Sequence, residues 1–181
     1  MSVPATAPFT YRDYVRLSDD RRYEVIGGKL LLTPSPRTWH QRVSLNLTIA
    51  LVEHVREHDL GEVLEAPCDV VLSKTDVVQP DILFIRKDRL DIIGEKFVSA
   101  APDLLVEILS PGTKTRDRKL KFRLYARFGV RELWIVDAPE RSVEVYVNAV
   151  GRFRLGERYS FRKTLCSKIL PRLRIPLASI F

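Results

Sequence analysis

Asp81 and Glu107 are the two carboxylates whose surroundings in the sequence give them chemical work. Glu107 interrupts an apolar run, Asp103-Leu104-Leu105-Val106-Glu107-Ile108-Leu109-Ser110. Apolar residues at successive positions predict a strand covered on both faces, as at the centre of an α/β sheet. An ionised group in such a strand costs on the order of several kcal/mol unless it is paired or bound to a metal. Asp81 follows Pro80 and heads a second apolar stretch, Ile82-Leu83-Phe84-Ile85. Two acids on neighbouring strands supply the oxygen ligands that a hard divalent cation requires.

The elements that must position these acids are legible in the patterning. Thr10 is the expected N-cap of a short helix over residues 10–17. Arg22–Ile26 and Lys29–Thr33 flank Gly27-Gly28, a two-residue hairpin signal. Ser35-Pro36 reads as the N-cap and first residue of a long helix. Its apolar positions Val43, Leu47, Ala50, Leu51 and Val55 repeat at helical spacing to about His58, and Gly61 is expected to stop it. Strands are predicted near 63–64, 70–72 and 82–85, and a loop or short helix over 86–96. After the Glu107 strand (104–109), the turn Ser110-Pro111-Gly112-Thr113 leads into a helix over 115–128, ended by Gly129. A strand pair follows over 132–137 and 143–147, and the tail holds one more strand. With no repeat and no long linker, residues 1–181 are expected to form one α/β domain that includes the basic segment 151–181.

A length of 181 residues allows a sizeable core, and 45% hydrophobic with 29% charged residues is ordinary for a folded soluble protein. No apolar run approaches the roughly 18 residues of a membrane span, and residues 1–5 lack the marks of a secretory signal. Cys68 and Cys166 are isolated and form no metal-ligand spacing, so a reduced, cytoplasmic setting is expected. The net charge is +7, and segment 151–181 carries all of it, with eight basic residues against the single acid Glu157. That concentration fits a polyanionic partner or, equally, a solvated surface that keeps the protein dissolved.

Several stretches together resemble a known family. They are Tyr23-Glu24-Val25-Ile26-Gly27-Gly28-Lys29-Leu30, Gln79-Pro80-Asp81-Ile82, the run from Ala101 to Pro111, Asp117 to Tyr125, and Trp134-Ile135-Val136-Asp137. In this order and at these intervals they are similar to the Uma-type family of putative restriction endonucleases, within the PD-(D/E)XK nuclease superfamily. The resemblance runs from about Tyr11 to Asp137 and more weakly into the tail. It implies a restriction-endonuclease-like α/β fold, a central mixed β-sheet flanked by helices, with an N-terminal β-hairpin.

The resemblance also implies a metal-dependent DNA endonuclease, with Mg²⁺ or Mn²⁺ as cofactor, double-stranded DNA as substrate, and a homodimer. Asp81, Glu107 and the main-chain carbonyl of Ile108 would hold the ion, and Glu24 would complete the acidic cluster. One departure stands out. The lysine expected two residues after Glu107 is Leu109, and the family pattern Asp-x-x-x-Lys-x-x-x-Tyr instead falls on Asp117, Lys121 and Tyr125. Helix geometry points the same way, since Asp117, Lys121, Leu124, Tyr125 and Phe128 share one face. Arg116, Lys119, Arg123 and Arg127 line another, so Lys114, Arg116, Lys119 and Arg123 are the candidate nucleic-acid contacts. His40, in the first turn of the long helix, is an accessory candidate beside Asp117 and Tyr125.

Phosphodiester hydrolysis needs an activated water and stabilisation of charge added to phosphorus, which an acid-held cation and an inward lysine would provide. Each residue also has a plainer reading. Lys121 could snorkel outward, or form a buried structural salt bridge with Glu107. Asp81 could cap a turn, Glu24 could be an exposed hairpin residue, and His40 a satisfied core histidine. Trp39, Trp134 and Tyr125 read as core aromatics. His54 and His58 lack a third ligand for zinc and read as surface residues.

Overall fold

The structure, a computed structural model, describes residues 7–18, 21–109 and 117–181, with side chains of the last stretch from Lys119 onward. Helix α1 spans Tyr11–Tyr14. The Asp13 carboxylate accepts from the Thr10 N–H and hydroxyl, so the N-cap lies where the sequence places it. The helix stops early because Val15 and Arg16 face solvent and have nothing to pack against. Strands β1 (Arg22–Ile26) and β2 (Lys29–Thr33) form the expected hairpin around Gly27-Gly28. Both glycines have positive φ, +58° and +72°, as a type I′ turn demands.

Helix α2 spans Thr38–Glu57 and buries His40, Val43, Leu47, Leu51 and Val55. It starts after Ser35-Pro36 because residues 34–37 bury no side chain that would hold a helical turn against the sheet, and Arg37 is extended. Its stop is not Gly61. Asp59 takes the left-handed conformation at φ +52°, the Leu60 N–H returns to the Val55 carbonyl and the Asp59 N–H to that of Arg56. Gly61 instead opens β3 (Gly61–Glu65), where a Cβ would lie 2.0 Å from the Ile85 carbonyl oxygen.

Strands β4 (Val70–Ser73), β5 (Asp76–Val78), β6 (Ile82–Arg86) and β7 (Leu104–Ile108) follow, with a 3₁₀ segment Lys87–Ile92 before β7. Strand β6 begins at Ile82 directly after Asp81, as expected, and Asp76–Val78 form a separate strand before Gln79-Pro80. Next comes a π-helical turn, Asp117–Lys121, which runs into α3 (Phe122–Arg127) where a regular α-helix was expected. Strands β8 (Glu132–Asp137), β9 (Ser142–Asn148) and β10 (Phe153–Ser160) follow, then the short pair β11 (Thr164–Leu165) and β12 (Ile175–Pro176). The tail thus holds more strand than expected.

Two sheets carry the architecture. The larger is mixed, in the order β10-β9-β8-β7-β6-β3, with β7 and β8 parallel and the other pairs antiparallel. The smaller is β2-β1-β5-β4. Alternation along β7 divides the core. Leu104, Val106 and Ile108 join the cluster under α2, whereas Leu105 and Leu109 join Leu124 and Tyr125 of α3. Leu165, Leu170, Leu173, Ile175, Leu177 and Ile180 of the tail belong to the α2 cluster. All eight basic residues of that segment are exposed. Among the described residues, no helix is long and apolar enough to cross a membrane.

Candidate active site

Alternation places Glu107 on the α3 side of β7, with only 3% of its surface exposed. Lys121 and Tyr125 lie one helical turn apart and both reach it. The Lys121 ammonium donates to both Glu107 oxygens at 3.0 Å, and the Tyr125 hydroxyl donates to Oε1 at 2.6 Å. Lys121 is itself 3% exposed, so the amine points inward and does not snorkel. Tyr125 is fully buried, and burial, reinforced by the Glu107 charge, pushes its hydroxyl well above the usual tyrosine range. It therefore stays protonated as a hydrogen-bond donor and is more than a core aromatic.

Glu24 arrives from the other sheet. Strand β1 pairs with β5, and the Glu24 carboxylate accepts the Gln79 main-chain N–H at 2.9 Å and contacts Lys121 Nζ at 2.8 Å. It is 0% exposed, which removes the reading of an exposed hairpin residue. The ammonium of Lys121 thus lies against two buried carboxylates. The salt bridge weighed from sequence exists, with a second acid in it.

Asp81 occupies the junction between β5 and β6. The ladder pairs Ile82 with Val106 and Leu83 with Leu105, so the register continued by one residue sets Asp81 opposite Glu107. Residues facing each other in this way have Cα atoms about 4.5–5.5 Å apart. The Asp81 carboxylate accepts the Ile108 N–H at 2.7 Å and meets His40 Nε2 at 3.3 Å. A strand residue sends its N–H and C=O to the same edge, which turns the Ile108 carbonyl towards Asp81 as well. Asp81 and His40 line a cleft of about 450 Å³ together with Arg22, Arg42 and Glu65. His40 is nine-tenths buried, and its Nδ1 has no partner among the described residues.

The oxygen donors available here, Asp81, Glu107 and the Ile108 carbonyl, suit a hard cation such as Mg²⁺ or Mn²⁺. As the side chains stand, no three His, Cys, Asp or Glu among the described residues are grouped so as to hold a metal ion. Lys121 supplies a positive charge between Glu107 and Glu24. Lys119 and Arg123 are exposed and, with Arg127, border a second cavity of about 450 Å³ beside Gly27. Lys114 and Arg116 lie outside the described residues, as does the side chain of Asp117.

Gln79 escaped the sequence reading. Its amide donates to Asp69 Oδ1 at 2.8 Å and to the Tyr14 hydroxyl at 3.1 Å, and its carbonyl oxygen accepts from Arg22 at 3.2 Å. It fixes the segment that presents Asp81 while its N–H holds Glu24. The available signal was its position immediately before Pro80-Asp81. Asp103, by contrast, is structural. It accepts the Arg86 N–H at 3.1 Å and pairs with Arg89 at 2.9 Å.

A mixed sheet with buried acids facing a helix-borne lysine places the molecule among proteins with a nuclease-like fold. The family model Uma2, described as "Putative restriction endonuclease", matches residues 11–178, and the chain belongs to that family. It is similar in fold to a crystal structure described as a putative nuclease of family DUF820 from Anabaena variabilis. The TM-score is 0.78 and the identity 18%, over 96% of this chain and 98% of that one. No curated protein matches the chain.

Proposed function

We propose that the chain is a Mg²⁺- or Mn²⁺-dependent endonuclease that hydrolyses DNA phosphodiester bonds. Asp81, Glu107 and the Ile108 carbonyl hold the ion in this reading. A divalent cation bound there supplies Lewis acidity that activates water and screens a phosphate oxygen. Lys121 leaves its ion pairs far enough to orient the water and to balance charge as it accumulates on phosphorus. Tyr125 fixes Glu107 through its hydroxyl, Gln79 fixes Glu24, and His40 orients the Asp81 carboxylate. Lys114, Arg116, Lys119 and Arg123 meet the phosphates on either side. Duplex DNA as substrate and a homodimer as the working form belong to the same proposal, and sedimentation tests the latter.

The observation that carries the reading is the inward, buried amine of Lys121 on Glu107, one strand position across from Asp81. The test is plasmid cleavage with Mg²⁺ or Mn²⁺ by wild type, Asp81→Asn and Glu107→Gln, each checked for native circular dichroism. Cleavage by wild type alone supports the assignment, and equal cleavage by all three ends it. A second reading has one specific observation in its favour, that Lys121 is already matched by Glu24 and Glu107. A catalytically silent member that binds nucleic acid would keep such a closed cluster. DNA binding that persists in EDTA, with no cleavage under any divalent ion, favours that reading.

A further inference from the structure

A third cavity, about 440 Å³, shares Arg42 with the Asp81 cleft at the start of α2. Trp39, Val43, Pro139 and Phe181 form its apolar wall, and Arg42 and Arg141 its polar groups. Arg42 lines both spaces and is the residue that the carboxylate cleft and the aromatic pocket share. No Asp or Glu side chain lines the pocket, and Arg42 makes no ion pair among the described residues. Arg141 stacks with its guanidinium 4.1 Å from the centre of the Phe161 ring and donates to the Phe181 main-chain oxygen at 3.5 Å. Trp39 is half-buried, its ring 6.0 Å from that of His40. The other tryptophan, Trp134, is fully buried and donates its indole N–H to Glu132.

We infer that this pocket takes an unpaired nucleobase next to the phosphate presented to Asp81. The base stacks on Trp39, and the flanking phosphates meet Arg42 and Arg141. An aromatic face beside cations, with no acidic side chain, matches the two halves of a nucleotide. A base inside a duplex has both faces covered by its neighbours, so the substrate at this position is single-stranded, frayed or extruded. The inference rests on the nuclease reading for the identity of the adjacent phosphate. It refines that reading by making local strand opening a requirement at the cut.

The probe is a short single-stranded oligodeoxynucleotide carrying one 2-aminopurine, mixed with the full chain in EDTA so that nothing is cut. Trp39 is the half-exposed indole, so its fluorescence and that of 2-aminopurine should both be quenched on mixing. The same strand annealed into a duplex should quench much less. Trp39→Leu should abolish the 2-aminopurine quench and weaken binding roughly tenfold or more. Trp39→Phe, which keeps an aromatic face, should retain much of both, and Arg42→Ala should weaken binding without removing the quench. Equal quenching by wild type and Trp39→Leu, or by single strand and duplex, overturns the inference. So does a Trp39 signal that changes with protein concentration in the absence of DNA, which would assign the pocket to a second copy of the chain. The two readings fail separately. A Trp39-dependent quench in a protein that never cleaves leaves the subsite standing without the nuclease, and cleavage without any quench does the reverse.

Discussion

The two carboxylate centres lie one strand position apart, yet their environments are opposite. Glu107 is sealed beneath α3 with Lys121, Tyr125 and Glu24, and its carboxylate shares the Lys121 ammonium with Glu24 inside the protein. Asp81 has 19% of its side chain exposed, opens onto a cleft, and is held by one main-chain N–H and one imidazole. The sealed centre carries the desolvation cost and the open one carries access. A site that must bind an ion and admit water needs both, because a fully closed acid excludes substrate and a fully open one does not hold a lysine in place.

The largest effect that would break this contrast is on cleavage. Asp81→Asn and Glu107→Gln should both fall to background in the plasmid assay, and Lys121→Met should lose roughly a hundredfold to a thousandfold in kcat. Stability should then separate what activity does not. Lys121→Met removes an ammonium that two buried acids share, with an expected cost of about 3–5 kcal/mol in urea denaturation at neutral pH. His40→Ala exposes Asp81 to solvent and should cost only about 1 kcal/mol. Equal costs would mean that the two centres are not differently buried. Mn²⁺ should raise the Tm of Lys121→Met more than that of wild type, since the ion can replace the missing charge.

Smaller effects concern the surroundings of the pair. Lys119→Ala and Arg123→Ala should each reduce the slope of log Kd against log salt by about 1, with little change in stability. Tyr14 belongs to the Gln79 network beside Glu24 and Asp69. Burial first, then the Asp69 charge, raises its pKa above the ordinary tyrosine value. The folded value exceeds the unfolded one, so its contribution is fully present below about pH 10 and is lost as pH climbs towards the raised value. Wild type should therefore lose stability more steeply above pH 10 than Tyr14→Phe, as read by chemical denaturation across that range. Identical alkaline profiles would remove Tyr14 from the network.

Particular residues show why some features were legible and others were not. Gly27-Gly28 announced the hairpin because only a local turn is involved. The buried face of α2 followed from its apolar spacing, but its first residue did not, because Ser35-Pro36 has the right local chemistry and no partner to pack against. Asp59 ends that helix in a conformation that a sequence reader assigns to glycine. The π-helical turn before α3 left no pattern in composition, and the reading of Glu24 as exposed or buried stayed open until β1 was seen to pair with β5.

The amino-acid order by itself determined the strand that carries Glu107, the aspartate at the head of the next apolar run, and the helix face that bears Lys121 and Tyr125. These follow from periodicity, which acts over a few residues. Only the tertiary structure decided that Glu24 crosses from the smaller sheet to share the lysine, that Gln79 holds Glu24 from the segment leading into Asp81, and that Trp39 and Arg42 line a further pocket beside the Asp81 cleft. Those contacts join residues dozens of positions apart, and their energies depend on burial and mutual approach, which no local pattern encodes.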